Sequence, residues 1–282
     1  MTQPELDYYD MGNGVVAFSS TRRGGCSKGN YAEFNINRYC GDDEADIRRN
    51  RQALCQLLGI SDDRLLMPHQ VHQTKMALID ETVLNCTLDE RQQLLDGYDA
   101  LMTNLTGVCI GVSTADCIPV LLYDSEHHAA CAIHAGWRGT VARIVEHSVE
   151  AMTAVYGTRP SQLKAQIGPG ISLESFEVGD EVYEAFAAAG FQMEAISKKF
   201  PSNNGGSKFF TLHSSLLPSK WHIDLPECNR QQLIATGVPP QAIKVSAVCT
   251  YQQSGRYFSA RRLGIRSGRI FTGIMLQGEK YA

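Results

Sequence analysis

The chain has 282 residues, of which 43% are hydrophobic, 20% charged and 8% aromatic, a balance that excludes disordered and fibrous classes and leaves enough apolar material for a substantial core. A formal net charge of −4 and a pI near 6.1 give no basic footprint, so nucleic acid is not an expected partner. Nine cysteines, odd in number and unclustered, argue against a disulfide framework and for a reducing, cytoplasmic compartment.

The opening MTQPELDYYDMGNG has neither a basic start nor an apolar run, so no secretory signal is expected. The longest apolar stretches fall far short of the roughly 20 residues that span a bilayer, so no membrane partner is expected either. Val15 to Ser19 reads as a strand, and Asp46 to Leu58 as a helix stopped by Gly59. Met67-Pro-His-Gln-Val-His-Gln73 puts His69 and His72 three apart just before a strand at Met76 to Ile79. Val108 to Val112 and Pro119 to Tyr123 read as strands on either side of a polar Ala-Asp-Cys turn, which sets Cys117 at a strand mouth behind Asp116. Asp124 to His128 reads as a hairpin turn, and the next strand, Ala129 to His134, runs straight into Ala135-Gly-Trp-Arg-Gly-Thr140. That order is strand, turn, helix: the glycines allow close backbone approach to a ligand, and a helix start beside Arg138 suits an anion.

The helix is predicted to continue from Arg138 to Tyr156, with Val141, Ile144, Val145, Ser148, Val149, Met152 and Val155 on one face and Gly157 as its stop. Beyond it come a strand at Lys164 to Ile167, a helix from Asp180 to Ala189, a polar exposed insertion at Pro201 to Ser207, a helix from about Pro226 to Thr236 and a strand at Lys244 to Val248. With no repeat or linker along it, 1–282 reads as one domain. The fold class is α/β (α+β): a layered sandwich of mixed β-sheets flanked by helices, with the strand order open.

Taken singly, each reactive residue has a bland reading. A cysteine is usually a small buried hydrophobe, a histidine a hydrogen-bonded structural imidazole, and Gly136 and Gly139 could simply shape their turn around a core Trp137. What points to a site is the sum of His72, Cys117 and His134, each at a strand edge next to a turn. Their separations, 117 − 72 = 45 and 134 − 117 = 17 residues, match no short zinc knuckle.

Two segments, Ala115-Asp-Cys-Ile-Pro-Val-Leu-Leu122 and His134-Ala-Gly-Trp-Arg-Gly-Thr140, closely resemble the paired signature of the multicopper polyphenol oxidase or laccase-domain family, also described as purine nucleoside phosphorylases. The likeness extends from Ser20-Thr-Arg-Arg-Gly-Gly25 through Gln70-Val-His72 and Gly168-Pro-Gly-Ile171 to Cys249-Thr250 and Phe258-Ser-Ala-Arg-Arg262. It implies that His72, Cys117 and His134 hold zinc, and that the partners are a purine nucleoside and inorganic phosphate. The implied reaction is phosphorolysis of adenosine, inosine and S-methyl-5′-thioadenosine, with adenosine deamination as a side activity. Three positions depart from the family pattern: Gln73 where Gly is usual, Ala260 where an aromatic is common and Leu263 where Asp is frequent.

Two imidazoles and a thiolate leave zinc one open position, as in catalytic sites. Deamination through an activated water would need a proton carrier, for which Asp116 is the candidate. Phosphorolysis needs cationic groups on the phosphate, for which Arg22, Arg138, Arg261 and Arg262 are the candidates. Eight histidines without His-x-His or His-Cys-His runs do not supply a multicopper oxidase, although a thiolate and imidazole site could take copper in vitro. Two alternatives stay open: a hydrolase with Cys117 as nucleophile acting on a cell-wall precursor, and a non-catalytic zinc-dependent nucleoside-binding module. Any self-association is expected to be a closed homo-oligomer.

Overall fold

Alternation along two neighbouring strands dictates the layering. In the computed structural model, which describes residues 3–201 and 219–278, the first seven strands are β1 (Leu6–Tyr9), β2 (Val15–Ser20), β3 (Leu65–Leu66), β4 (Met76–Leu78), β5 (Ala100–Thr103), β6 (Cys109–Thr114) and β7 (Ile118–Asp124). The other seven are β8 (Ala129–Ala135), β9 (Lys164–Ile167), β10 (Glu177–Val178), β11 (Ser197–Pro201), β12 (Ser219–Ile223), β13 (Ile243–Val245) and β14 (Ile270–Leu276). On β7 and β8, Val120, Leu122, Cys131 and Ile133 join one core, while Leu121, Tyr123, Ala130 and Ala132 join another. This is the period of two that a strand imposes, and here both faces are apolar because both are covered.

Those strands belong to a six-stranded mixed sheet ordered β13-β9-β7-β8-β5-β4. One face packs on a five-stranded sheet, β1-β2-β14-β6-β3, through Ala17, Ile110, Val112 and Ile274. The other face is covered by the helices Ile144–Tyr156 and Leu225–Ala235, which contribute Val145, Val149, Met152, Cys228 and Leu233. Helix Glu44–Leu58 covers the far side of the five-stranded sheet, where Leu54 and Cys55 meet Phe18 and Phe271. The layers are therefore helix, sheet, sheet, helix, the mixed α/β sandwich expected from the order of elements. A small sheet, β10-β12-β11, stands at one side. No helix among the described residues is long and apolar enough to cross a membrane.

Two local expectations differ from what is found. The helix drawn from Arg138 to Tyr156 is two helices, Trp137–Val141 and Ile144–Tyr156, separated at Arg143, whose φ of 62° is left-handed. Such a conformation costs about 1–2 kcal/mol in a non-glycine residue. It is held by the Arg143 side chain, which lies 3.8 Å over the Phe191 ring and donates to Ala189 O at 2.8 Å. Val155, expected on the buried face, is 48% exposed, and it is Tyr156 that packs against the core in the last turn of the second helix. Of the polar insertion, Pro201 closes β11 and the remainder lies outside the described residues.

Candidate active site and metal centre

The two large sheets share a rim where β6 ends at Thr114, β7 begins at Ile118 and β8 ends at Ala135. The link from β6 to β7 is three residues, Ala115-Asp116-Cys117, and Asp116 takes a left-handed φ of 88° to make the turn. Its carboxylate secures that geometry by accepting from Thr250 Oγ1 and from the Arg261 backbone N–H, both at 2.7 Å. Cys117 is thereby presented at the rim. His134 shares the face of Ala130 and Ala132 and sits opposite Pro119 near the end of β8.

His72 comes from the loop between β3 and β4 and is also left-handed, with φ of 63°. Two residues fix this loop. Gln70 pairs with Ser113 like a strand neighbour, accepting from its N–H at 2.8 Å and donating to its carbonyl at 2.9 Å. Asp99, fully buried just before β5, accepts from the backbone N–H groups of His72 at 2.9 Å and Gln73 at 2.7 Å, and its Oδ1 meets His134 Nδ1 at 2.7 Å. One carboxylate thus orients two of the three reactive residues. The sequence reading passed over it, although an aspartate opening an otherwise apolar strand, Asp99-Ala-Leu-Met102, is the kind of buried charge that must be paired.

His72, Cys117 and His134 come together with their ligand atoms all within 4.8 Å of one another, the one such cluster among the described residues. The imidazole rings of His72 and His134 stand edge to face at 4.8 Å. Burial raises the Cys117 thiol, but His134 and His72 more than offset it and hold it below the usual thiol range. Burial lowers His134, and Cys117 with Asp99 overcomes this and raises it. The pair is therefore poised as thiolate and imidazolium, an arrangement in which a cation can replace the shared proton. The residues fit a metal: one thiolate and two imidazoles are donors for zinc or copper, and Asp99 on Nδ1 leaves Nε2 of His134 for coordination. Gly136 lets the backbone pass close by, since a Cβ there would lie 2.9 Å from His72 Cδ2 and 3.1 Å from Cys117 Sγ.

The triad opens into a cavity of about 450 Å³, the size of small-molecule sites, whose other walls include Asn37, Tyr39, His69, Phe176, Arg261 and Arg269. Asp116 supplies the carboxylate of this lining, and Ala260 also borders it. Of the four candidate arginines, Arg261 reaches the cavity, and Arg22, Arg138 and Arg262 are not among its walls. Arg22 spends its donors on Ala32 O at 2.7 Å and Ser254 O at 2.8 Å and lies over Phe258, tying two loops together. Arg138 is exposed and stacked 4.1 Å over Trp137, in a helix too short to offer an anion site, and Arg262 lies 5.2 Å over Tyr251.

A family model described as multi-copper polyphenol oxidoreductase laccase matches residues 16–277. The chain belongs to this family. A relative from Bacteroides thetaiotaomicron, named purine nucleoside phosphorylase, is 46% identical over 93% of this chain and 92% of its own length. A second relative, adenosine deaminase RL5 from an unknown prokaryotic organism, is 42% identical over 96% of this chain and 97% of its own. Among solved structures, YfiH from Bacillus licheniformis superposes with a TM-score of 0.81 at 25% identity, covering 93% of each chain. YlmD from Geobacillus stearothermophilus gives 0.80 at 28% identity, over 96% of this chain and 94% of that one.

Proposed function

We propose that this chain is a zinc-dependent purine nucleoside phosphorylase that cleaves adenosine, inosine and S-methyl-5′-thioadenosine with phosphate to the free base and (methylthio)ribose 1-phosphate, with adenosine deamination as a side activity. The observation that carries the reading is one three-donor cluster, open on one side to a cavity of nucleoside size. The names of the relatives, phosphorylase and deaminase, supply the substrate class. A single cluster of three ligands among the described residues supports this chemistry over oxidation at several copper centres. All nine cysteines are unpaired, in keeping with a cytoplasmic enzyme.

His72, Cys117 and His134 would hold the ion, and Asp99 keeps His134 in the tautomer that binds it. When bound, the ion would supply a Lewis-acid centre beside the cavity. Arg261, at the cavity wall, is assigned to the phosphate: its backbone is anchored on Asp116 and its Nη1 on Glu177 O at 3.0 Å, which sets the direction of the guanidinium. Arg261→Ala is expected to raise the phosphate KM about tenfold, the loss of one charge-assisted contact. Arg22→Ala should leave that KM unchanged and instead destabilise the fold by about 2 kcal/mol, visible in thermal melting. The opposite pattern would return the phosphate to Arg22.

Asp116 is assigned the proton transfers of deamination, since it is the carboxylate of the cavity lining. Asp116→Asn should lower ammonia release on the order of 10²-fold or more with zinc content intact; undiminished release removes Asp116 from the role. The overall reading is tested by incubating the purified protein with adenosine, with and without phosphate, while zinc is quantified in the same sample. Adenine and ribose 1-phosphate formed only with phosphate, at one zinc per chain, is the expected result. Zinc without turnover would favour the binding module or a cell-wall substrate, and turnover without metal would favour Cys117 as a nucleophile.

A further inference from the structure

A third imidazole stands in the same cavity, and the reading above leaves it unused. His69 lies three residues before His72 and forms part of the cavity wall beside Tyr39. Its orientation is fixed from three directions. Its Nδ1 meets Asp96 Oδ1 at 2.5 Å, its ring is stacked on Tyr39 with centroids 4.2 Å apart and 26° between planes, and its backbone is bridged to Asp96. The bridge is made by His69 N–H donating to Leu95 O and Gly97 N–H donating to His69 O, both at 3.0 Å. The side chains are 40% and 64% exposed, so this ion pair adds little to stability. With Nδ1 engaged by Asp96 and the ring at the cavity wall, Nε2 is the nitrogen left for a bound molecule.

We propose that His69 is the general acid that protonates the departing purine, with Asp96 as the residue that positions it; this rests on the phosphorylase reading. A purine is a poor leaving group as an anion and a good one once N7 carries a proton. As a phosphate oxygen forms its bond to C1′, the C1′–N9 bond breaks and its electron pair enters the purine ring. The proton passes from Nε2 of the His69 imidazolium to N7, and the neutral imidazole then takes a proton from solvent. Asp96 accepts from Nδ1–H throughout and stabilises the charged ring, the division of labour seen wherever a carboxylate orients a catalytic histidine. The stacked Tyr39 keeps the imidazole plane fixed.

The test compares adenosine with 7-methylinosine, whose base already carries a positive charge at N7 and leaves without a proton. His69→Gln should lower kcat on adenosine by about 10²-fold or more, in line with general acid catalysis, while 7-methylinosine loses no more than a few-fold relative to wild type. Asp96→Asn, which keeps the imidazole, should lose rate with the same preference for adenosine and to a smaller extent. Equal losses on both substrates would assign His69 to binding or packing, and unchanged adenosine turnover would remove it from the reaction. Either overturns the proposal. Wild-type protein that makes no ribose 1-phosphate from either nucleoside would overturn the phosphorylase reading, and this proposal with it.

Discussion

Cys117→Ala is expected to abolish zinc retention and phosphate-dependent cleavage of adenosine together. The thiolate is the one anionic donor of the three, and its low proton affinity comes from the same two imidazoles that would share the metal. Without it two imidazoles remain, one of them on an exposed loop. Loss of a ligand should weaken binding well beyond the roughly 10- to 100-fold that changes in outer contacts produce. Removing several kcal/mol of charge stabilisation should lower turnover by about 10²- to 10³-fold. Metal content and ribose 1-phosphate, measured on one preparation, check both. A variant that keeps its zinc and loses turnover would mark Cys117 as a nucleophile, and one that loses zinc and keeps turnover would detach the ion from the chemistry.

Asp99→Asn should show how much of the site depends on a residue that touches no substrate. Burial raises the Asp99 carboxyl, and the His134 contacts with the Gln73 and His72 amides overcome this and hold it below the usual carboxylate range. An asparagine replaces one accepting oxygen by an NH2 group facing donors, a buried mismatch worth about 1–3 kcal/mol. The melting temperature should fall, zinc affinity should drop about 10- to 100-fold, and excess zinc should recover part of the melting temperature. The pH dependence has a defined sign. A carboxyl with a depressed folded value contributes stability that is present above its unfolded value and lost as pH falls through the folded one. The wild type should therefore lose stability at acid pH more steeply than the variant. Identical acid limbs and unchanged zinc affinity would mean that the loop carrying His72 and the ring of His134 are held by other contacts.

Much of this architecture is local in origin. The strands at Val15, Met76, Pro119, Ala129 and Lys164 are carried by short β-branched or alternating runs, and helix starts and stops by caps such as Asp43, whose side chain accepts from Ala45 and Asp46, and Gly59 in the left-handed region. The three reactive residues stood out in the sequence because each lies at a strand edge beside a turn and because their surroundings resemble a known signature. Strand β14 is a different matter. It sits at the middle of the five-stranded sheet, yet its sequence, Ile-Phe-Thr-Gly-Ile-Met-Leu276, carries a glycine at its centre, which by itself marks a weak strand. Gly273 pairs with Gly111 on β6, and the missing side chains make room for the ring of Phe271, a reason that exists only once the strands are neighbours.

The same division holds at the site. The amino-acid sequence by itself determined which residues could bind a metal, because the chemistry of a thiol or an imidazole travels with the residue, and it determined the class of the fold, because periodicity is local. Tertiary structure alone decided that Asp99 grips both His134 and the loop of His72, that the helix after Gly136 breaks at Arg143, and that Arg261 faces the cavity while Arg22, Arg138 and Arg262 do not. These are long-range facts. A buried carboxylate chooses partners 26 to 35 residues away by which donors the sheets bring to it, and an arginine turns towards whichever carbonyl or ring the packing offers, so neither choice is written in the residues beside it.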